Sequence, residues 1–93
     1  MIHSFNCKDT KELFNREYSP RLPSDIQRTA LRKLWVLDAT VILNALRVPP
    51  GNKLEALTGN RSGQYSLRIN DLWRLCFIWR DGGAHHVEII DCH

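Results

Sequence analysis

Between residues 64 and 80 two runs of alternating apolar positions flank a short polar turn. Tyr65, Leu67 and Ile69 share one face of an extended run, and Gln64, Ser66 and Arg68 share the other. In the run that follows, Trp73, Leu75, Phe77 and Trp79 share one face, and Arg74, Cys76, Ile78 and Arg80 the other. Two period-two runs flanking the polar pair Asn70-Asp71 predict a β-hairpin. The loop length sets its register. A two-residue turn would set Leu67 against Arg74, whereas a three-residue loop, Asn70-Asp71-Leu72, sets Leu67 against Leu75 and Arg68 against Arg74. A one-residue slip moves every side chain to the wrong face, so burial selects the longer loop. Two arginines then stand side by side on the polar face. Like charges directly opposite are unfavourable in a sheet unless an anion lies against them.

The rest of the chain supplies the other layer. Residues 2–6 read as a short strand anchored by Phe5. Asp9 or Thr10 opens a short helix carrying Leu13 and Phe14, which ends by Tyr18 because the residue before Pro20 disfavours helix. Ser24 is the expected N-cap of a second helix, with Asp25 in its first turn. Ile26, Ala30, Leu34, Leu37 and Val41 recur at helical spacing, with Arg28, Arg32 and Lys33 off the stripe. Asp38 is placed to split this run and cap a further helix over 39–46. Val48-Pro49-Pro50-Gly51-Asn52 is a stop, and 53–63 reads as an irregular polar loop. Asp81-Gly82-Gly83 makes a second turn before a last strand over 86–91. The fold class is α+β: an N-terminal strand and two to three helices on one face of a sheet, completed by a C-terminal antiparallel three-strand meander. Residues 1–93 form a single domain.

Composition narrows the class without deciding it. A chain of 93 residues can bury one core without staples. Its three cysteines, Cys7, Cys76 and Cys92, are odd in number and lack metal-motif spacing, which fits reduced thiols in the cytoplasm. The opening residues lack the pattern of a secretory signal, and no apolar run approaches the roughly 18 residues of a membrane span. The formal charge of +3 is compatible with an anionic partner. Its distribution is more telling: Lys53, Arg61, Arg68, Arg74 and Arg80 face only Glu55, Asp71 and Asp81 in the same stretch, and no acid lies between 56 and 70.

The meander brings these charges to the chain end. The last strand runs antiparallel to the middle one, so Asp91, Cys92 and His93 fall near Trp73 and Arg74. The parities of Val87 and Ile89 compete with that of Ile90, so either Asp91 or Cys92 shares the face of Arg74. Arg68, Arg74, Asp91 and His93, with Lys53 from the loop, make a recognisable chemical set. Metal-free RNA cleavage needs a base for the 2′-hydroxyl, cations for the phosphorane and an acid for the leaving oxygen. Histidine titrates in the right range, arginine binds phosphate oxygens through a fork, and an aspartate can fix an imidazole tautomer. His85 and His86 sit at the far end of the last strand. Trp73 and Trp79 belong to the core stripe, and Glu55, the only acid of its loop, is set to pair with Lys53.

These residues together resemble a family. Pro49-Pro50-Gly51-Asn52-Lys53-Leu54-Glu55-Ala56-Leu57-Thr58-Gly59-Asn60-Arg61-Ser62-Gly63, then Ser66-Leu67-Arg68-Ile69-Asn70-Asp71, Trp73-Arg74-Leu75-Cys76-Phe77 and the ending Val87-Glu88-Ile89-Ile90-Asp91-Cys92-His93 are similar to HigB toxins of the RelE/ParE superfamily, also called plasmid maintenance system killer proteins. The resemblance runs over essentially the whole chain. It implies a RelE-like fold and cleavage of mRNA on the translating ribosome, with no metal and no cofactor. It implies a HigA-type helix-turn-helix antitoxin as partner, operator DNA engaged only through that complex, a cytoplasmic location and no membrane. Asp91 and His93 match the family's terminal Asp-x-His, and Arg74 matches the arginine after the tryptophan. Lys53 joins Arg74 on the phosphate; Glu55 and Cys92 are further candidates for the chemistry, and Arg68 and Arg61 for binding RNA. The family often has tyrosine where this chain has Cys92, and some members have a catalytic histidine where it has Glu55. These departures permit a weaker nuclease or a Glu55 that acts as base. The alternative is a ParE-like inhibitor that binds a protein target such as gyrase without catalysis. A plain nucleic-acid-binding module would show a larger basic excess.

Overall fold

The computed structural model describes residues 1–17 and 19–91; the expected helix end at Tyr18, and Cys92 and His93, lie outside the described residues. Two α-helices, α1 (Lys8–Phe14) and α2 (Ser24–Ala39), precede four strands: β1 (Glu55–Ala56), β2 (Gln64–Arg68), β3 (Trp73–Arg80) and β4 (Gly83–Asp91). The strands lie in the order β1-β2-β3-β4, each antiparallel to its neighbour.

The expected helix caps are used differently. Cys7 stands at the cap of α1 and Pro23 at that of α2, neither with a side-chain cap bond. The Asp9 carboxylate instead accepts from the Ser19 hydroxyl at 2.8 Å. Thr10 Oγ1 accepts from the Ile89 N–H at 3.0 Å, joining α1 to the outer edge of β4. Pro23 presets the backbone for helix entry, so Ser24 is drawn into the first turn. Asp38 does not split the second helix. It lies within α2, and its Oδ1 accepts from the Ile2 N–H at 2.8 Å, so its capping capacity serves the N-terminal segment. Beyond Ala39 the chain makes 3-10 turns at Leu43–Arg47 and Pro50–Asn52 rather than a third α-helix. Of the helical stripe, Ile26, Ala30, Leu34 and Leu37 are buried, but Val41 lies past the helix end and is exposed.

The three-residue hairpin loop forms as expected, with Leu67 opposite Leu75 and Arg68 opposite Arg74. Asn70 Oδ1 accepts from the N–H groups of Leu72 and Trp73, both at 2.8 Å, which holds the loop closed. The 53–63 stretch is not wholly irregular. Glu55 and Ala56 pair with Ser66 and Tyr65, so the sheet has a fourth strand that the non-alternating sequence did not announce. β4 starts at Gly83, three residues earlier than expected. Its register shifts between the Cys76–Glu88 and Ile78–His85 pairs, leaving His86 and Val87 both facing Phe77. His86 takes the left-handed conformation at this bulge, φ 52°. The extra residue resolves the competing parities: Ala84, Val87 and Ile89 all reach the core.

The N-terminal segment covers the β4 edge in parallel, with bridges at Ile2–Ala84 and Phe5–Val87. Covering an otherwise open edge removes a template for aggregation. Gly83 permits the approach, since a Cβ there would stand 2.4 Å from His3 Nε2 and 2.9 Å from the Met1 carbonyl oxygen. One sheet face carries Leu67, Leu75, Phe77, Val87 and Ile89 against Leu13, Ile26, Ala30, Leu34 and Leu37 of the helices. Each large apolar side chain buried there contributes about 1.5–3 kcal/mol relative to exposure. No helix among the described residues is long and apolar enough to cross a membrane.

Candidate functional site

The sheet face turned away from the helices holds Arg68 and Arg74 at one end, as pairing in register requires. Their repulsion is relieved within the chain. Arg68 Nη2 meets Asp71 Oδ1 at 2.5 Å across the hairpin loop. Hydrogen bonding to Arg68, reinforced by its charge, holds the Asp71 carboxyl below the usual range. Arg74 reaches the other way, over β2 to β1. Its Nη2 donates to the Lys53 carbonyl at 3.0 Å and lies 3.6 Å from Glu55 Oε1. Glu55 therefore pairs with Arg74 rather than Lys53, because β1 pairing brings Glu55 opposite Ser66, on the face of Arg74. Arg74 Nε is buried without a hydrogen-bond partner among the described residues. A buried guanidinium donor without an acceptor is uncommon.

Lys53 takes part through its backbone as well as its charge. It adopts a left-handed conformation, φ 45° and ψ 58°, just after the turn Pro50–Asn52. This aims its carbonyl at Arg74 and leaves its side chain exposed. The neighbouring Asn52 is buried, and its amide donates to the carbonyls of Leu46 and Val48 at 3.1 and 3.3 Å. Its side-chain oxygen accepts from Lys33 Nζ of α2. Burial first, then the charges of Arg32 and Arg68, push the Lys33 ammonium below its ordinary pKa. Asn52 and Lys33 were not anticipated as part of this region. Position 33 reads as solvated in the helical period, and only the Pro-Pro-Gly-Asn turn hinted at a side chain that closes a loop.

The remaining candidates are placed less centrally. Arg61 lies across the same face, with Nη1 at 2.8 Å from Glu88 Oε1 and 3.2 Å from Gln64 Oε1. It bridges the hairpin to β4 in the middle of the sheet, away from the Arg68–Arg74 end. Asp91 stands opposite Trp73, and Ile90 opposite Arg74. Asp91 thus reaches the expected end of the sheet, but strand alternation assigns it to the face of Trp73 and not that of Arg74. Cys92 and His93 lie outside the described residues. Among the described residues, no three His, Cys, Asp or Glu side chains gather as a metal-ligand group.

Helices on one face of a small antiparallel sheet, with a cationic end on the other, match the fold of RelE-like toxins. The structure superposes on the crystal structure of a YafQ histidine-to-glutamine mutant from E. coli with a TM-score of 0.58, covering 98% of this chain and 91% of that one at 20% identity. That likeness concerns the fold. The family model for the RelE-like toxin of type II toxin–antitoxin system HigB matches residues 3–93. Toxin HigB-1 of Vibrio cholerae is 41% identical over 85 residues, spanning 90% of each chain. Endoribonuclease HigB of Proteus vulgaris is 31% identical over 94 residues, spanning 100% of both chains. The chain belongs to the HigB-like toxin family, and as a type II toxin it has an antitoxin as partner.

Proposed function

We propose that this toxin is an endoribonuclease that cuts mRNA on the translating ribosome by attack of the RNA's own 2′-oxygen, without a metal or other cofactor. The observation that carries the reading is the adjacent pair Arg68 and Arg74 on the helix-free face, with Lys53 beside them. In the reaction the 2′-oxygen loses its proton to a base and bonds to phosphorus. The bond from phosphorus to the 5′-oxygen breaks, and that oxygen takes a proton from an acid. The products are a 2′,3′-cyclic phosphate and a 5′-hydroxyl. Arg74 and Lys53 stabilise the added charge on phosphorus. His93 moves the protons, and Asp91 orients it from the end of β4, on the face of Trp73 and not that of Arg74. Glu55 holds the Arg74 guanidinium until RNA arrives and can accept the 2′-proton. Arg68 and Arg61 add cationic charge along the strand's path. The Proteus relative's name, Endoribonuclease HigB, supports the reaction class. A HigA-type helix-turn-helix antitoxin restrains the toxin and alone contacts operator DNA, in the cytoplasm.

The test is primer extension on mRNA from translating ribosomes, with and without the protein, followed by analysis of the ends. Cyclic phosphate and 5′-hydroxyl ends are expected. Ends bearing a 5′-phosphate would indicate attack by an activated water and overturn the reading.

A further inference from the structure

A cavity of about 310 Å³ opens beside α2, lined by Thr29, Arg32, Lys33, Val36, Pro49 and Asn52. Thr29, Arg32, Lys33 and Val36 stand at i, i+3, i+4 and i+7, so one helix stripe forms a wall of it. The turn that carries Pro49 and Asn52 forms the other. The lining holds two cations and no acid. Among the described residues neither Arg32 nor Lys33 forms an ion pair, and Lys33 bonds only to the neutral amide oxygen of Asn52. That oxygen takes one of three ammonium hydrogens, leaving two for another acceptor. Val36 is 44% exposed and with Pro49 gives the cavity an apolar side. Asn52, which accepts from Lys33, directly precedes Lys53, whose carbonyl accepts from Arg74, the cross-strand neighbour of Arg68, so the cavity adjoins the cationic end of the sheet.

Cations, an apolar wall and no acid, continuous with a phosphate-binding end, suit a nucleotide unit. A carboxylate-bearing protein segment would also find the cations, but it would not need their continuity with Lys53 and Arg68. We propose that this cavity is a second RNA subsite, taking one nucleotide next to the phosphate held by Arg74 and Lys53, with its phosphate on Arg32 and Lys33 and its base against Val36 and Pro49. The proposal rests on the endoribonuclease reading for the identity of the strand. Binding of this kind follows single-stranded recognition, in which a cationic track holds the backbone and flat or apolar surfaces take the bases.

The experiment measures binding of a fluorescein-labelled single-stranded RNA hexanucleotide to the full chain by anisotropy across a salt series. Arg32→Ala should weaken binding about tenfold and reduce the slope of log K against log salt by about 0.7, the value for one lost phosphate contact on a single strand. Val36→Ser should weaken binding and leave the slope unchanged. Arg28→Ala is the control: it removes the same charge from the exposed surface of the same helix but does not line the cavity. Equal effects of Arg28→Ala and Arg32→Ala would show diffuse attraction only and overturn the subsite. So would unchanged RNA binding by Arg32→Ala, with or without a loss of antitoxin binding; such a loss would mark the cavity as a protein interface. Cleavage on ribosomes is assayed in parallel. Intact cleavage with no Arg32 dependence of RNA binding removes the subsite and leaves the endoribonuclease. Arg32-dependent binding without any cleavage removes the endoribonuclease and leaves the subsite.

Discussion

Replacing Arg74 by alanine separates what this residue does for the fold from what it does for the chemistry. In the fold, Arg74 donates to the Lys53 carbonyl at 3.0 Å and lies 3.6 Å from Glu55. The Glu55 side chain is 55% exposed, so water screens the pair, which contributes no more than about 1 kcal/mol. The hydrogen bond adds about 0.5–1.5 kcal/mol, partly offset because the variant no longer buries an unpaired Nε. A net loss of about 1 kcal/mol lowers Tm by roughly 4–8 °C in a domain this size, and the chain remains folded. In the reaction, removing a donor aimed at developing negative charge costs about 2.7–4 kcal/mol, a fall of about 10²–10³ in kcat. The two effects differ enough to be read independently. A thermal melt followed by circular dichroism gives the first; single-turnover cleavage on programmed ribosomes at saturating toxin gives the second. Arg74→Lys keeps the charge but not the fork, and should fall between alanine and the natural residue. A folded Arg74→Ala chain that cleaves at the natural rate would refute the assignment, whatever became of its stability.

Deleting Cys92 and His93 should abolish cleavage while the melt changes little, since the last few residues of a domain usually tolerate removal. His93→Gln should fail nearly as completely, because it cannot titrate. Full activity in either folded variant would transfer the proton-handling role to Glu55. His85 cannot substitute: it stacks on His3 at 4.7 Å and pairs with Ile78, four residues and about 13 Å along β3 from Arg74. Gly83→Ala should destabilise the chain by about 1–3 kcal/mol through overpacking, because its Cβ would meet His3 Nε2 at 2.4 Å and the Met1 oxygen at 2.9 Å. An unchanged denaturant midpoint would mean that the N-terminal segment moves aside without cost.

Period-two alternation over 64–80 sufficed to settle the hairpin, its three-residue loop and the side-by-side arginines, because only one register buries the apolar set. The helical stripe from Ile26 to Leu37 was legible for the same reason: local periodicity mirrors one buried face. The resemblance of the Pro49–Gly63 and Trp73–Phe77 stretches and of the chain end marked the family before any geometry was considered. Tertiary structure decided where each polar group finds its partner. Asp38, a plausible helix cap by position, serves Ile2 across 36 residues, and Glu55 serves Arg74 instead of nearby Lys53. The edge strand β1 had too short a pattern to register in sequence, since two residues become a strand only when β2 offers its hydrogen bonds. The bulge at His86 likewise arises from fitting Ala84, Val87 and Ile89 to one core. Local patterning can state which faces are apolar, but polar groups are satisfied at long range, and their partners exist only once the layers have packed.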